Sequence, residues 1–181
     1  AGCVFLIAAV AVFVGGMSAA DWDFSALNTV RYEQREFLAD EGAAVESLNV
    51  RYGNADVIVR YSAGTQRVRV SYPERVDADG EVIAPVTVRL EGGVLTVTEG
   101  ETEGFFGTIF QWNLSQPALT VELPAQTACA LDISTGNGDI LLESADEGAA
   151  TAKTVRLTSG NGDVRIAASA SLSAEQAELT S

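Results

Sequence analysis

The chain has 181 residues, 25 acidic against 11 basic, a formal charge of −14 and no histidine. Phosphate backbones and anionic lipid surfaces require clustered Lys and Arg, so nucleic acid is excluded as an expected partner and an acidic membrane face is disfavoured. The missing imidazole removes the commonest metal ligand and general base, together with the Ser-His-Asp and Cys-His constellations, and hydrolase readings lose most of their weight.

Residues 2–17 are an uncharged run of apolar residues and glycine that ends at Ser18, Ala19 and Ala20, before Asp21, Trp22 and Asp23. As a helix this run reaches about 24 Å, short of the ~30 Å hydrocarbon core. Residues 1–20 are therefore expected to be a membrane anchor truncated at its start, with Trp22 at the interface and residues 21–29 a linker. The rival expectation is a signal segment cleaved after Ala20, because Ser18 and Ala20 are both small. The two cysteines, Cys3 and Cys129, are 126 residues apart and are expected to be small apolar residues, not a disulfide.

From residue 30 the pattern is strand after strand. Apolar and polar residues alternate over 30–38, 48–52 and 57–61, then over 68–72, where Pro73 is expected to close the strand. After the polar bend at 77–80 come strands over 86–90 and 94–98, joined across Gly92 and Gly93, and one through Leu119, Val121 and Leu123. The stretches 39–47 and 171–179 are weak helix candidates without an apolar stripe, so no helix is expected after residue 29.

The word Gly136, Asn137, Gly138, Asp139 returns as Gly160, Asn161, Gly162, Asp163, and the flanking apolar residues keep step. Leu131, Ile133, Ile140 and Leu142 recur 24 positions later as Val155, Leu157, Val164 and Ile166. A weaker copy lies 83 positions upstream of the first, with Gly53, Asn54, Ala55 and Asp56 between Leu48, Val50 and Val57, Val59. The terminal Glu178, Leu179, Thr180, Ser181 matches Arg156, Leu157, Thr158, Ser159, which predicts that the chain stops inside a further repeat.

Each copy reads as strand, tight bend, strand, because Gly, Asn and Asp tolerate the positive φ of a sharp corner. Repeats of this period cannot bury their apolar face alone and must stack. The expected fold is all-β over residues 30–181, a right-handed β-helix-like solenoid or layered sheet, with one transmembrane helix before it. The alternative takes Asn-Gly as a hairpin signal, each copy being an antiparallel pair.

If the copies stack at the ~4.8 Å sheet spacing, Asp139 lies over Asp163, and their carboxylates repel by about 3.5 kcal/mol at an effective dielectric near 20, or about 0.9 in water. Calcium bound by Asp139 and Asp163 with Asn137 and Asn161 would relieve this. The preferred expectation is structural: turn N–H groups satisfy the carboxylates while the asparagines form an amide ladder, so no metal or cofactor is expected. The segment holding Phe105, Phe106, Phe110 and Trp112 concentrates four of the chain's thirteen aromatic residues. It is expected to cap the stack or to dock on a partner. Carboxylate pairs are plentiful, but no motif fixes two in a cleft, and a carbohydrate-acting enzyme is the weakest alternative.

The order of these parts resembles the bacterial putative-adhesin family with β-strand repeats, the toast-rack domain. The features that carry the resemblance are the apolar leader before Asp21, Trp22, Asp23, Phe24, Ser25; the strand around Asn54, Ala55, Asp56, Val57; Val121, Glu122, Leu123, Pro124; and the Gly-Asp corners at 138–140 and 162–164. It covers nearly the whole chain and implies a membrane-tethered, extracytoplasmic β-repeat domain without catalytic residues. Such domains are linked with adhesion or envelope-stress sensing, and a protein or cell-envelope partner is implied. A calcium-stabilised surface adhesin is the alternative.

Overall fold

The computed structural model describes residues 31–77, 79–100, 116–144, 151–168 and 173–181. The leader and linker, and the aromatic segment with Phe105, Phe106, Phe110 and Trp112, lie outside the described residues. Among the described residues no helix is long and apolar enough to cross a membrane. They hold thirteen strands: β1 (Arg31–Leu38), β2 (Ser47–Tyr52), β3 (Val57–Ser62), β4 (Arg69–Val76), β5 (Val82–Ala84), β6 (Val86–Glu91), β7 (Val94–Glu99), β8 (Leu119–Pro124), β9 (Cys129–Thr135), β10 (Ile140–Ser144), β11 (Thr151–Ser159), β12 (Val164–Ala168) and β13 (Ser173–Thr180). The helix candidate at 171–179 is thus largely strand β13, because pairing with β11 decides a segment that has no apolar stripe of its own.

Two sheets result. One runs β1-β4-β8-β3-β10-β12 with β5 attached to β4, and the other runs β13-β11-β9-β2-β7-β6. The two strands of each repeat lie in different sheets, so the Gly-Asn-Gly-Asp word turns a corner between sheets and the hairpin alternative is set aside. One coil is then a strand from each sheet joined by a corner: β2–β3, β9–β10 and β11–β12.

The spacings 83 and 24 become strand registers. Leu48 pairs with Leu131, and Leu131 with Val155. On the other sheet Val57 pairs with Ile140, and Ile140 with Val164. Leu157 pairs with Leu179 and Thr158 with Thr180, so the terminal segment continues the same rows. Strands β2, β3, β9 and β10 alternate strictly and β11 does so from Val155 on, and the inward residues, among them Leu48, Val50, Val57, Val59, Leu131, Ile133, Ile140, Leu142, Val155 and Leu157, form the buried core between the sheets.

Chain order and stacking order differ. After β3 the chain leaves the column, and β7 and β8 settle in parallel on the free edges of β2 and β3. Then β9 returns to the opposite edge of β2. The β6–β7 hairpin turns through Gly92 and Gly93 at φ 55 and 78, the double positive φ that a two-residue loop of this kind demands. Pro73 does not close its strand. It lies inside β4, opposite Gln34 of β1, and β4 has parted from β8 after Ser71, so one flank of β4 is free at the residue that lacks an N–H.

Candidate functional site

The corner residues lie in three rows. Asn137 Nδ2 donates to Asn54 Oδ1 at 2.5 Å and Asn161 Nδ2 to Asn137 Oδ1 at 2.6 Å, an amide ladder through three coils. The Asp139 N–H donates to Asp56 Oδ1 and the Asp163 N–H to Asp139 Oδ1, both at 2.8 Å. Beneath them Thr135 Oγ1 donates to the Ala55 carbonyl at 2.9 Å and Ser159 Oγ to the Gly138 carbonyl at 2.8 Å, both hydroxyls buried.

The glycines follow from the closeness of the coils. A Cβ on Gly138 would lie 2.0 Å from the Ala55 carbonyl oxygen, and one on Gly162 would lie 2.1 Å from that of Gly138. On Gly136 and Gly160 it would meet the Gly53 and Gly136 oxygens at 2.5 and 2.4 Å. None of these four has positive φ, so the requirement is space and not backbone conformation. The first copy carries Ala55, fully buried, where the others have glycine.

Arg165 acts on the paired carboxylates. Its guanidinium touches Asp163 Oδ2 and stands 3.7 Å from Asp139 Oδ2, so one cation spans the pair, while the Asp163 N–H adds a donor to Asp139 Oδ1. Among the described residues no group of three or more Cys, Asp or Glu side chains is placed to hold a metal ion. Of the candidate calcium ligands, Asp139 accepts a hydrogen bond from the next coil, and Asp163 is engaged by Arg165. Sequence reading missed Arg165, although its strand places it two residues from Asp163.

At the other end of the rows a carboxylate meets the first corner. Glu99 Oε2 accepts the Gly53 N–H at 2.8 Å, whereas in the next coil the Gly136 N–H donates to the Gly53 carbonyl. Glu99 is held by Arg75 at 3.4 Å, the two side chains only 9% and 5% exposed, and the Arg75 guanidinium stands 6.0 Å from the Tyr32 ring centroid. Tyr52 donates from its hydroxyl to the Pro73 carbonyl at 2.5 Å. Burial, reinforced by Glu99, pushes the Tyr52 phenol well above its ordinary range, and burial raises Tyr32 as well. A cleft of 390 Å³ opens here, lined by Arg51, Tyr52, Asn54, Arg75, Glu99 and Ser134 among others. The alternation of Leu95, Val97 and Glu99 puts an acid in the inward phase of β7, the one signal that could have found this cap.

Cys129 is buried, and its Sγ lies 3.6 Å from the Tyr61 hydroxyl. Burial pushes both the thiol and the phenol upward, and Cys129 packs in the core.

The family model described as Toastrack DUF4097 matches residues 45–181. No curated protein matches the chain. Among solved structures, the chain is similar to a putative cell adhesion protein from Clostridium sporogenes ATCC 15579, with 7% identity over 83% of this chain and 100% of that one and a TM-score of 0.38. It is also similar to a putative adhesin from Parabacteroides merdae ATCC 43184, at 9% identity, 83% and 95% coverage and a TM-score of 0.24.

Proposed function

The chain belongs to the toastrack family, and we propose that it is a non-catalytic interaction module, tethered to a membrane by residues 1–20 and displayed outside the cytoplasm. The observation that carries the reading is the use made of the corner: the side chains of Asn54, Asp56, Thr135, Asn137, Asp139, Ser159 and Asn161, which could serve a reaction, are bonded from coil to coil. The repeated word therefore builds a stiff column, and recognition falls to the surfaces that column holds outward.

The outer face of the β1-to-β12 sheet fits this role. Glu36, Arg69, Glu122, Arg60 and Glu143 form an alternating chain of charges across β1, β4, β8, β3 and β10, partly exposed throughout. Pairs of this kind add little stability, on the order of 0–1 kcal/mol each, so they serve solubility and selectivity more than folding. The aromatic segment is the second candidate surface. A protein or cell-envelope component is the partner proposed.

The test is cosedimentation of the purified chain with isolated bacterial envelopes, beside a Phe106→Ser, Trp112→Ser double variant. Loss of binding at unchanged melting temperature supports docking through the aromatic segment. A melting temperature that falls with binding assigns that segment to the fold, and absence of any binding by the wild-type chain overturns the module reading.

A further inference from the structure

The outer face of the second sheet is built differently from the charged face of the first. Its outward side chains fall into two cross-strand rows, Thr87, Thr98, Arg51 and Ser134 in one and Arg89, Thr96, Asn49 and Asp132 in the other. Arg51 and Asp132 neutralise each other, whereas Arg89 has no ion-pair partner among the described residues. The hydroxyls of Thr87, Thr96, Thr98 and Ser134 have no hydrogen bond among them either. Neither row holds an aromatic or large aliphatic side chain, the anchors that supply most of the energy in protein–protein interfaces. The first row runs into the 390 Å³ cleft, which Arg51 and Ser134 line together with Asn54, Arg75 and Glu99. The charges there are paired, Arg51 with Asp132 and Arg75 with Glu99. Asn54 brings the first rung of the amide ladder to this cleft: its Oδ1 accepts from Asn137, while its Nδ2 has no acceptor among the described residues.

We propose that this face and its cleft bind a neutral glycan carrying acetamido groups, an inference that rests on the interaction-module reading and names the class of partner. An acetamido group ends in the same amide as an asparagine side chain. Its carbonyl oxygen accepts from Asn54 Nδ2 as Asn54 Oδ1 accepts from Asn137, so the ligand adds a rung to the ladder. Strands ~4.8 Å apart present one polar side chain each, close to the length of one sugar ring in an extended glycan. A glycan lying across β6, β7, β2 and β9 therefore meets a hydroxyl, amide or guanidinium donor at successive rings. Paired charges suit a neutral polymer, and a chain of net charge −14 opposes an acidic one.

The experiment titrates the full chain into end-labelled chitohexaose and cellohexaose, neutral chains of the same linkage that differ in the acetamido group, and follows fluorescence anisotropy. One added hydrogen bond corresponds to roughly 3- to 10-fold in affinity, and chitohexaose should bind tighter by that factor. Asn54→Asp keeps the oxygen that accepts from Asn137 and loses the donor, so it should abolish the preference at unchanged melting temperature. Arg89→Ala should weaken both sugars, and Arg60→Ala, on the other sheet, neither. Binding of neither sugar, equal affinity for the two, a preference that survives in Asn54→Asp, or loss in Arg60→Ala without loss in Arg89→Ala would overturn the proposal. If Asn54→Asp does not fold, the wild-type preference and Arg89→Ala decide. A wild-type chain that pellets with envelopes but binds neither sugar removes the glycan and leaves the module reading standing.

Discussion

Replacing Gly138 by Ala puts a methyl 2.0 Å from the Ala55 carbonyl oxygen, 2.4 Å from its carbon and 2.8 Å from the Asp56 nitrogen. All three are backbone atoms and cannot rotate aside. Restoring ordinary contact at 3.4 Å parts the two coils locally by about 1.4 Å. The bonds that cross the same gap are Asn137 to Asn54, the Asp139 N–H to Asp56, Thr135 to the Ala55 carbonyl, and the Val57 N–H to the Asp139 carbonyl. At about 1 kcal/mol for each hydrogen bond, the cost is about 4 kcal/mol, a large share of a typical 5–15 kcal/mol total. Since Gly138 does not have positive φ, Gly→Ala without the clash would instead stabilise by about 0.4–1 kcal/mol through the unfolded chain. The two accounts therefore differ in sign. Equilibrium urea denaturation should show a sharply lower midpoint for Gly138→Ala, and a lower one also for Gly162→Ala, whose Cβ would lie 2.1 Å from the Gly138 carbonyl oxygen. A Gly138→Ala variant as stable as wild type would refute the packed-corner reasoning.

Two further outcomes follow from the same geometry. Tyr52 and Tyr61 are phenols kept neutral by burial, with pKa values above the ordinary one in the folded chain only. Above about pH 10 the unfolded state therefore loses protons that the folded state keeps, so stability is full below that pH and falls as pH rises. Melting temperature should drop above about pH 10, with a shallower drop in Tyr61→Phe; an identical slope in the variant counts against Tyr61 as a source. Because Arg165 spans Asp139 and Asp163 and the Asp163 N–H bonds Asp139 Oδ1, millimolar calcium should leave the melting temperature unchanged, and Arg165→Ala should cost under about 1 kcal/mol at this exposed position. A calcium-dependent rise that disappears in Asp139→Ala would restore the calcium reading.

Periodic features were legible in the sequence. The alternation of Val155, Leu157 and Val164 marks strands with one buried face, and the offsets of 24 and 83 are the registers by which β9 meets β11 and β2. Such signals survive in one dimension because every coil repeats the same local requirement. Arg165 was harder to read, since a lone arginine two residues from an aspartate has many ordinary partners on a charged surface.

The strands, the corner word and the rows in which successive copies lie were thus set by the order of residues alone, because they depend on side-chain period and on the room left for a Cβ. Tertiary packing was needed to place β7 and β8 on the flank beside the earliest copy, to carry β4 on through Pro73, and to bring Glu99 and Arg75 against the first corner. Those choices depend on which sheet edge is still open when a distant segment arrives, and on the buried ion pair of Arg75 and Glu99. Neither leaves a period to be read.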